Sequence, residues 1–366
     1  MIERIWWQII TKKKKNLIDI FIMLFLYILS GFYFFGLLIK DVLYKLNIKK
    51  PLITPYNIIT IGNLTLGGTG KTSITIEIAK RIIKSGKKLM VVAKGYKRKK
   101  INDIDIVSNG SEILLSVKNS GDEPYMLARN LKDACVLVGE NKIKTIEYGL
   151  QIFKPDYVLL DDGFQKRKDI KKSINILLID ALNPFGFNSL FPAGMLREPI
   201  HVLRDADIII ITNTNIVDDP QKIDRIKDVI YGYDKNAKIL EADIQPRYVY
   251  NIFTDEHHTV EFLNNKKVIS FSGIGNPIAF ERTLKMLNAR IVVGLRFKDH
   301  HTLLKKEIEA ICKLLQKTNA SMIITTEKDE VKLKRKFFTD DRVFCLKTGV
   351  LIKNIKELDK KIKLQI

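Results

Sequence analysis

The eleven residues NLTLGGTGKTS, Asn63 to Ser73, carry the most specific chemistry in the chain. Gly67, Gly68 and Gly70 let successive backbone amides turn toward one oxyanion, Lys71 reaches the terminal phosphates of a nucleotide, and the Thr72 hydroxyl ligates Mg²⁺. The expected nucleotide contacts are Thr65, Leu66, Gly67, Gly68, Thr69, Gly70, Lys71, Thr72 and Ser73. One position departs from the usual G-x-x-x-x-G-K-[ST] pattern, because Thr65 stands where the first glycine belongs.

A phosphate loop needs a further acid to hold its metal, and YVLLDDGFQ (Tyr157 to Gln165) places Asp161 and Asp162 at the carboxyl end of an apolar run. Adjacent carboxylates on an extended strand point to opposite faces, so one is expected at the metal and the other bracing the loop; a plain Asp-Gly strand end is the blander reading. GDEPYMLAR (Gly121 to Arg129) puts Asp122 and Glu123 at a helix start with Pro124 in the first turn. Acids there either cap the helix or do chemistry, Asp122 accepting a proton from an attacking hydroxyl and Glu123 working beside magnesium. RFKDHHTL holds Asp299, His300 and His301, too few for a metal site but suited to closing over phosphates from another part of the chain.

These groups need a scaffold that brings distant residues to one edge. YNIITIG, KLMVVAK, ACVLVG, YVLLDD, INILLID and ADIIIIT read as strands between Tyr56 and Thr212, with helices over Thr72 to Ser85 and Lys142 to Phe153. Near-continuous Val, Ile and Leu mark strands buried on both faces, hence an α/β fold with a P-loop NTPase-like parallel sheet. ADIQPRYVYNIF and HTVEFL, split by Thr254 to His258, read as a two-stranded hairpin linker. A smaller α/β alternation follows: VISFSG, a helix over Pro277 to Asn288, RIVVGLRF, a helix over Lys305 to Lys317, SMIITT and RVFCLK. The expected units are a membrane-anchoring helical segment (1–45), the P-loop domain (46–240), the linker (241–265) and a smaller domain closing over the site (266–366).

From Ile20 to Ile39 the chain has 20 uncharged residues, as a helix roughly 30 Å long, enough for one hydrocarbon core. Trp6, Trp7 and Lys12 to Lys15 before it suit the headgroup level. Both flanks are basic, so orientation is not assigned, and either a single crossing or a hairpin bent near Gly31 or Gly36 fits. Lys and Arg total 62 against 41 Asp and Glu, a net +21 that favours phosphate-bearing partners. No aromatic platform interleaves the basic runs, so nucleic acid is not an expected partner. Three cysteines (Cys135, Cys312 and Cys345) without a CxxC pair exclude a disulfide framework and a cysteine zinc site.

Seven blocks in order, GNLTLGGTGKT, GDEP, LLDDGFQ, FPAGMLREP, FSGIGNP, FKDHH and TTEKD, behind an apolar helix, resemble the tetraacyldisaccharide 4'-kinases of lipid A biosynthesis. The resemblance implies transfer of the ATP γ-phosphate to the 4'-hydroxyl of an acylated glucosamine disaccharide 1-phosphate, the lipid A precursor, at the cytoplasmic face of the inner membrane. It implies a pairing of Asp122 with His300, Lys71 and Thr72 as the loop's Lys and Thr, Asp161 and Glu123 on the metal side, and Arg197 as the LREP arginine. The family's Arg-Gly-Tyr-Gly turn is Lys94-Gly95-Tyr96-Lys97 here, and lysine brings charge without arginine's planar fork. The rival readings are a P-loop kinase or ATPase acting on another membrane-embedded acceptor, and a membrane-anchored nucleotide switch without group transfer. TEKD is superficially like the base-reading N/T-K-x-D motif of GTP proteins, but Glu327 occupies its lysine position.

Overall fold

The computed structural model describes residues 2–12 and 15–364, so Lys13 and Lys14 of the expected basic flank lie outside the described residues. Two helices open the chain, α1 (Ile2–Thr11) and α2 (Leu17–Lys45). Then come β1 (Asn57–Asn63), α3 (Lys71–Lys84), β2 (Leu89–Ala93), β3 (Ile104–Asn109), α4 (Val117–Ser120), α5 (Asp122–Asn130), β4 (Ala134–Gly139), α6 (Lys142–Phe153), β5 (Tyr157–Asp161), β6 (Ile174–Asp180), β7 (Ile208–Thr212) and α7 (Gln221–Tyr233). The remainder is β8 (Ile239–Asn251), β9 (His257–His258), β10 (Lys267–Ser272), α8 (Pro277–Met286), β11 (Arg290–Arg296), α9 (Lys305–Lys317), β12 (Met322–Thr326), α10 (Glu327–Glu330), β13 (Val343–Ile352) and α11 (Ile355–Lys361).

The strands form one continuous sheet in the order β11-β10-β12-β13-β8-β7-β6-β1-β5-β2-β4-β3, with β9 paired to β8. Pairing is parallel from β8 through β7, β6, β1, β5 and β2 to β4, and again from β11 through β10 and β12 to β13. The two parallel blocks meet at the antiparallel pair β8/β13. Every residue of β2, β5 and β7 is buried, as apolar runs covered on both faces require. β3, an antiparallel edge strand of mixed polarity (IDIVSN), carries no such signal and was not expected.

The linker differs from the expected hairpin. Of HTVEFL only His258, the second residue of β9, is strand, and Val260–Leu263 forms a short 3₁₀ turn. The long partner of β8 is β13, some ninety residues later, running from Phe344 opposite Asn251 to Ile352 opposite Ala242. The chain's end therefore returns to the first block: Val350, Ile352, Leu358, Ile362 and Leu364 bury in one core with Ile59, Ile78, Ile82 and Leu159. Arg81 of α3 pairs with Asp359 of α11, its Nε donating to Oδ1 at 2.8 Å. Residues 350–364 thus pack with the P-loop block rather than with the smaller unit in which 266–366 were expected.

The apolar N-terminal helix is continuous, so the hairpin alternative at Gly31 or Gly36 is not formed. A stripe at helical spacing holds it to the body: Ser30 Oγ donates to Leu190 O (2.9 Å), Tyr33 Oη to Arg197 O (2.7 Å) and Lys40 Nζ to Gln165 O (2.9 Å). Tyr44 hydrogen-bonds Asp169, and Trp6 Nε1 of α1 donates to Pro192 O at 2.7 Å. The opposite face, with Phe21, Leu24, Phe25, Ile28, Phe32 and Phe35, is exposed.

Leu358 is 0% exposed in the core of the first block, so Leu358→Ala should cost about 2–5 kcal/mol in urea unfolding. A loss under about 1 kcal/mol would place α11 outside that core.

Candidate active site at the carboxyl edge of the sheet

The carboxyl ends of β1, β5, β6 and β7 open into a cavity of about 1460 Å³ between the two parallel blocks, lined by Leu66 through Ser73 along the Gly-rich turn. Gly67 (φ 106°) and Gly70 (φ 80°) occupy left-handed conformations that side-chain-bearing residues avoid, and Lys71 opens α3 immediately after. The Thr69 hydroxyl is buried without a hydrogen-bond partner, a polar atom available to an anion in the loop. Thr65 stands apart from the other expected nucleotide contacts: it bridges Leu196, is buried, and lies outside the cavity lining.

Beside the loop, Asp161 and Asp162 separate as adjacent strand-end residues should. Asp161 Oδ1 accepts from Thr75 Oγ1 of α3 (2.8 Å), while Asp162, in a left-handed turn (φ 50°), faces Arg197 and Lys71. Arg197 is a two-pronged donor to Asp162, Nη1 to Oδ1 at 2.8 Å and Nη2 to Oδ2 at 3.3 Å. Burial alone would raise the Asp162 carboxyl, but Lys71, Arg197 and Lys142 together hold it well below the usual range. Asp161 goes the other way, pushed up to about 6 by burial and by the Glu123 charge. A divalent cation between Asp161 and Glu123 would relieve that repulsion, so Asp161, Glu123 and Thr72 suit Mg²⁺; Asp162 faces Lys71 and Arg197, and Glu123 in turn accepts from Lys328 Nζ at 2.8 Å.

Asp122 starts α5, 5% exposed, and His300 Nδ1 donates to its two oxygens at 2.9 and 2.8 Å. Burial would raise the Asp122 carboxyl; the His300 hydrogen bond and the Lys328, His300 and Lys332 charges overcome it and bring it down to about 2. An ionised carboxylate only accepts, so Nδ1 carries a proton and donates it to Asp122. His300 sits at φ 61°, strained backbone at a functional position, and its ring lies against Tyr96, tilted by 44° with ring centres 4.6 Å apart. His301 points elsewhere, its Nε2 bonded to Glu307 at 2.8 Å and its ring stacked on Phe297.

Three lysines escaped the sequence reading. Lys328 Nζ bridges the blocks, donating to Glu123 Oε1 (2.8 Å) and Asp299 Oδ1 (3.0 Å). Its position inside TTEKD was the available signal, and the block serves here as a brace: Asp329 Oδ2 accepts from Gly273 N at 3.0 Å. Lys332, one helical turn on, lies 3.6 Å from Asp122. Lys142 is buried at the start of α6 and donates to the backbone carbonyls of Asp161 and Asp162 at 2.5 and 2.6 Å. Nothing in the pattern around Lys142 distinguishes it from an ordinary first-turn lysine.

A phosphate loop at the mouth of a parallel sheet, an acid pair beside it and an Asp-His pair opposite define a P-loop phosphotransferase. A family model described as tetraacyldisaccharide-1-P 4'-kinase matches residues 22–366, and the chain belongs to that family. It is similar to the tetraacyldisaccharide 4'-kinase of Halothermothrix orenii, 32% identical over 358 residues covering 94% of this chain and 92% of that one. The tetraacyldisaccharide 4'-kinase of Elusimicrobium minutum is 33% identical over 355 residues, covering 96% and 93%. Among solved structures, LpxK from Aquifex aeolicus, an "apo" form in complex with ATP, superposes with a TM-score of 0.70 at 27% identity, covering 92% of this chain and 96% of that one.

Because the folded Asp161 titrates near 6 instead of 3.8, its ionised form opposes folding: that cost is absent below pH 3.8 and complete above about 6. Asp161→Asn without nucleotide or metal should therefore be more stable than the parent at pH 8, by up to roughly 3 kcal/mol, and no different at pH 4. Thermal unfolding at the two pH values checks this; an equal gain at both would assign the effect elsewhere.

Proposed function

We propose that this chain transfers the γ-phosphoryl group of ATP to the 4'-hydroxyl of a tetraacyldisaccharide 1-phosphate, a step of lipid A biosynthesis, at the cytoplasmic face of the inner membrane. The observation that carries the reading is the junction of Asp122 from one block with His300 from the other, 2.8 Å apart beside the glycine turn. Phosphoryl transfer asks a protein mainly for placement and charge neutralisation. Lys71 and Arg197 supply cations at the transferring group, and the amides of residues 67–72 supply donors. When bound, Mg²⁺ would supply charge neutralisation between the phosphates, held by Thr72, Asp161 and Glu123.

The acceptor hydroxyl must lose its proton, and the Asp-His pair suits that task. Held near 2, Asp122 is a weak proton acceptor by itself; its strength is as the anion that orients His300 and stabilises the imidazolium. In its neutral form His300 Nε2 is then the group that takes the hydroxyl proton, giving up the hydrogen bond it accepts from Lys328 Nζ at 3.5 Å. This reading moves the proton one residue along from the sequence expectation, in which Asp122 was the base.

The family's acceptor carries acyl chains, and α2 accounts for how such a molecule is met. Its exposed aromatic and aliphatic face enters the hydrocarbon, while its packed stripe holds the catalytic body at the headgroups. Tyr33 reaches the backbone of Arg197, so the anchor and a phosphate-contacting side chain share one segment.

Asp122→Asn should lower turnover about 10²- to 10⁴-fold with ATP affinity unchanged, and Lys71→Ala should abolish transfer, both read with labelled ATP and the acceptor in mixed micelles. Unchanged turnover in Asp122→Asn would remove the pair from the chemistry. A chain lacking residues 1–45 should leave the membrane fraction on vesicle flotation while binding ATP; retention on vesicles would assign the anchor to another surface.

A further inference from the structure

The Asp122 carboxylate is approached from three sides. His300 Nδ1 donates to its oxygens, the Glu123 amide donates to Oδ1 at 2.9 Å, and Lys332 Nζ lies 3.6 Å from Oδ2. The first two contacts belong to the Asp-His pair and to the start of α5, but the phosphate chemistry above gives Lys332 no task. Lys332 lies outside the lining of the cavity, so it meets neither nucleotide nor acceptor there.

Its side chain is 7% exposed, and its amine has no hydrogen-bond partner among the described residues. Two carboxylates flank that amine, one from each block: Asp329 Oδ1 at 3.2 Å and Asp122 Oδ2 at 3.6 Å. An ammonium taken out of water without aligned acceptors is costly, and an apolar chain of the same length would avoid the cost, so the stability of the smaller block alone does not account for it. Lys328 is placed differently, with its amine given to Glu123 and Asp299 at 2.8 and 3.0 Å.

The contacts of Asp329 show what Lys332 completes. Asp329 Oδ2 accepts from Thr326 Oγ1 at 2.7 Å and from Gly273 N at 3.0 Å, and Gly273 O accepts from His300 N at 3.1 Å. From His300 the ring nitrogen returns to Asp122 at 2.8 Å. Asp122, Lys332, Asp329, Gly273 and His300 therefore form a closed circuit, in which Asp122 alone comes from the first block. The backbone of His300 is fixed at one end of this circuit and its ring at the other, and Lys332 is the charge that joins the two ends.

Resting on the kinase reading, we propose that Lys332 is a positioning residue for phosphoryl transfer: its buried ammonium holds the Asp122 carboxylate where His300 meets it, and so sets the ring that takes the acceptor's proton. Asp329 ties that ammonium to the turn that carries His300.

Steady-state transfer by the full chain, with labelled ATP and the acceptor in mixed micelles, tests the proposal. Lys332→Met keeps the length of the side chain and removes its charge. It should lower kcat about 10- to 100-fold, the scale of a misplaced reacting group, with the KM values for ATP and acceptor within about 3-fold of the parent. Thermal unfolding of the parent, Lys332→Met, Asp122→Asn and the double variant measures the coupling. Lys332→Met should lower the midpoint of the parent but leave it level or raise it in the Asp122→Asn background, where the ammonium has lost the carboxylate it serves. An unchanged kcat, a KM raised more than kcat falls, or an equal shift of midpoint in both backgrounds overturns the proposal. If circular dichroism shows Lys332→Met unfolded, Lys332→Gln decides by the same measurements; loss of fold in both makes Lys332 a structural residue and also overturns it. A parent that transfers no phosphate to the lipid overturns the kinase reading itself, an outcome distinct from an active parent that tolerates Lys332→Met.

Discussion

An ionised carboxylate in a protein interior persists only where charge and donors are brought to it, since an unpaired one costs several kcal/mol. Asp122 is such a group, and its partners His300, Lys328 and Lys332 all come from the block beyond the linker. The carboxylate belongs to α5, on the opposite side of the cleft. Ionisation of Asp122, orientation of His300 and approach of the two blocks are therefore one event. Lys328 extends it to Glu123 and Asp299, and Arg129 of α5 adds a pair to Glu330 at 2.5 Å. The His-Asp pair is thus assembled from residues of both blocks, and neither block holds it alone.

The same logic joins the anchor to the chemistry. The segment 186–198 runs from the cavity to the N-terminal helices: it receives Trp6, Ser30 and Tyr33 on one side and presents Arg197 to Asp162 on the other. Arg167 secures its far end, pairing with Glu198 at 2.5 Å and Asp205 at 2.7 Å. A helix that only tethered the enzyme would need no such contacts. Bonded along its length, α2 is held in fixed register with the segment that presents Arg197.

The parallel strands, the glycine turn and the helix after it were legible in the sequence because each follows from local pattern: continuous β-branched residues, glycines before Lys-Thr, and an amphipathic period. The Asp122–His300 contact was reachable only through the family resemblance, because 178 residues separate the pair and no local rule encodes their meeting. Sequence reading failed where partners lie far apart in the chain. The expected hairpin forms only as two pairs between β8 and β9, because the segment turns after His258, while the other edge of β8 is taken along its length by the ten-residue β13. Thr65 lies outside the cavity lining because the flanking Leu64 and Leu66 bind the backbone of Arg197 and Met195 and Asn63 Nδ2 holds the Thr65 carbonyl. Lys142 was invisible because a buried lysine is identified by the carbonyls it meets, not by its neighbours in sequence.

The most direct test is to supply the purified full chain, in vesicles holding a tetraacyldisaccharide 1-phosphate, with ATP labelled at the γ-phosphate, and to locate the label by mass spectrometry of the lipid. The account predicts one added phosphate on the disaccharide, at the 4' position, in step with ADP formed. Label released as inorganic phosphate with the lipid unchanged, or label placed elsewhere on the lipid, would contradict it.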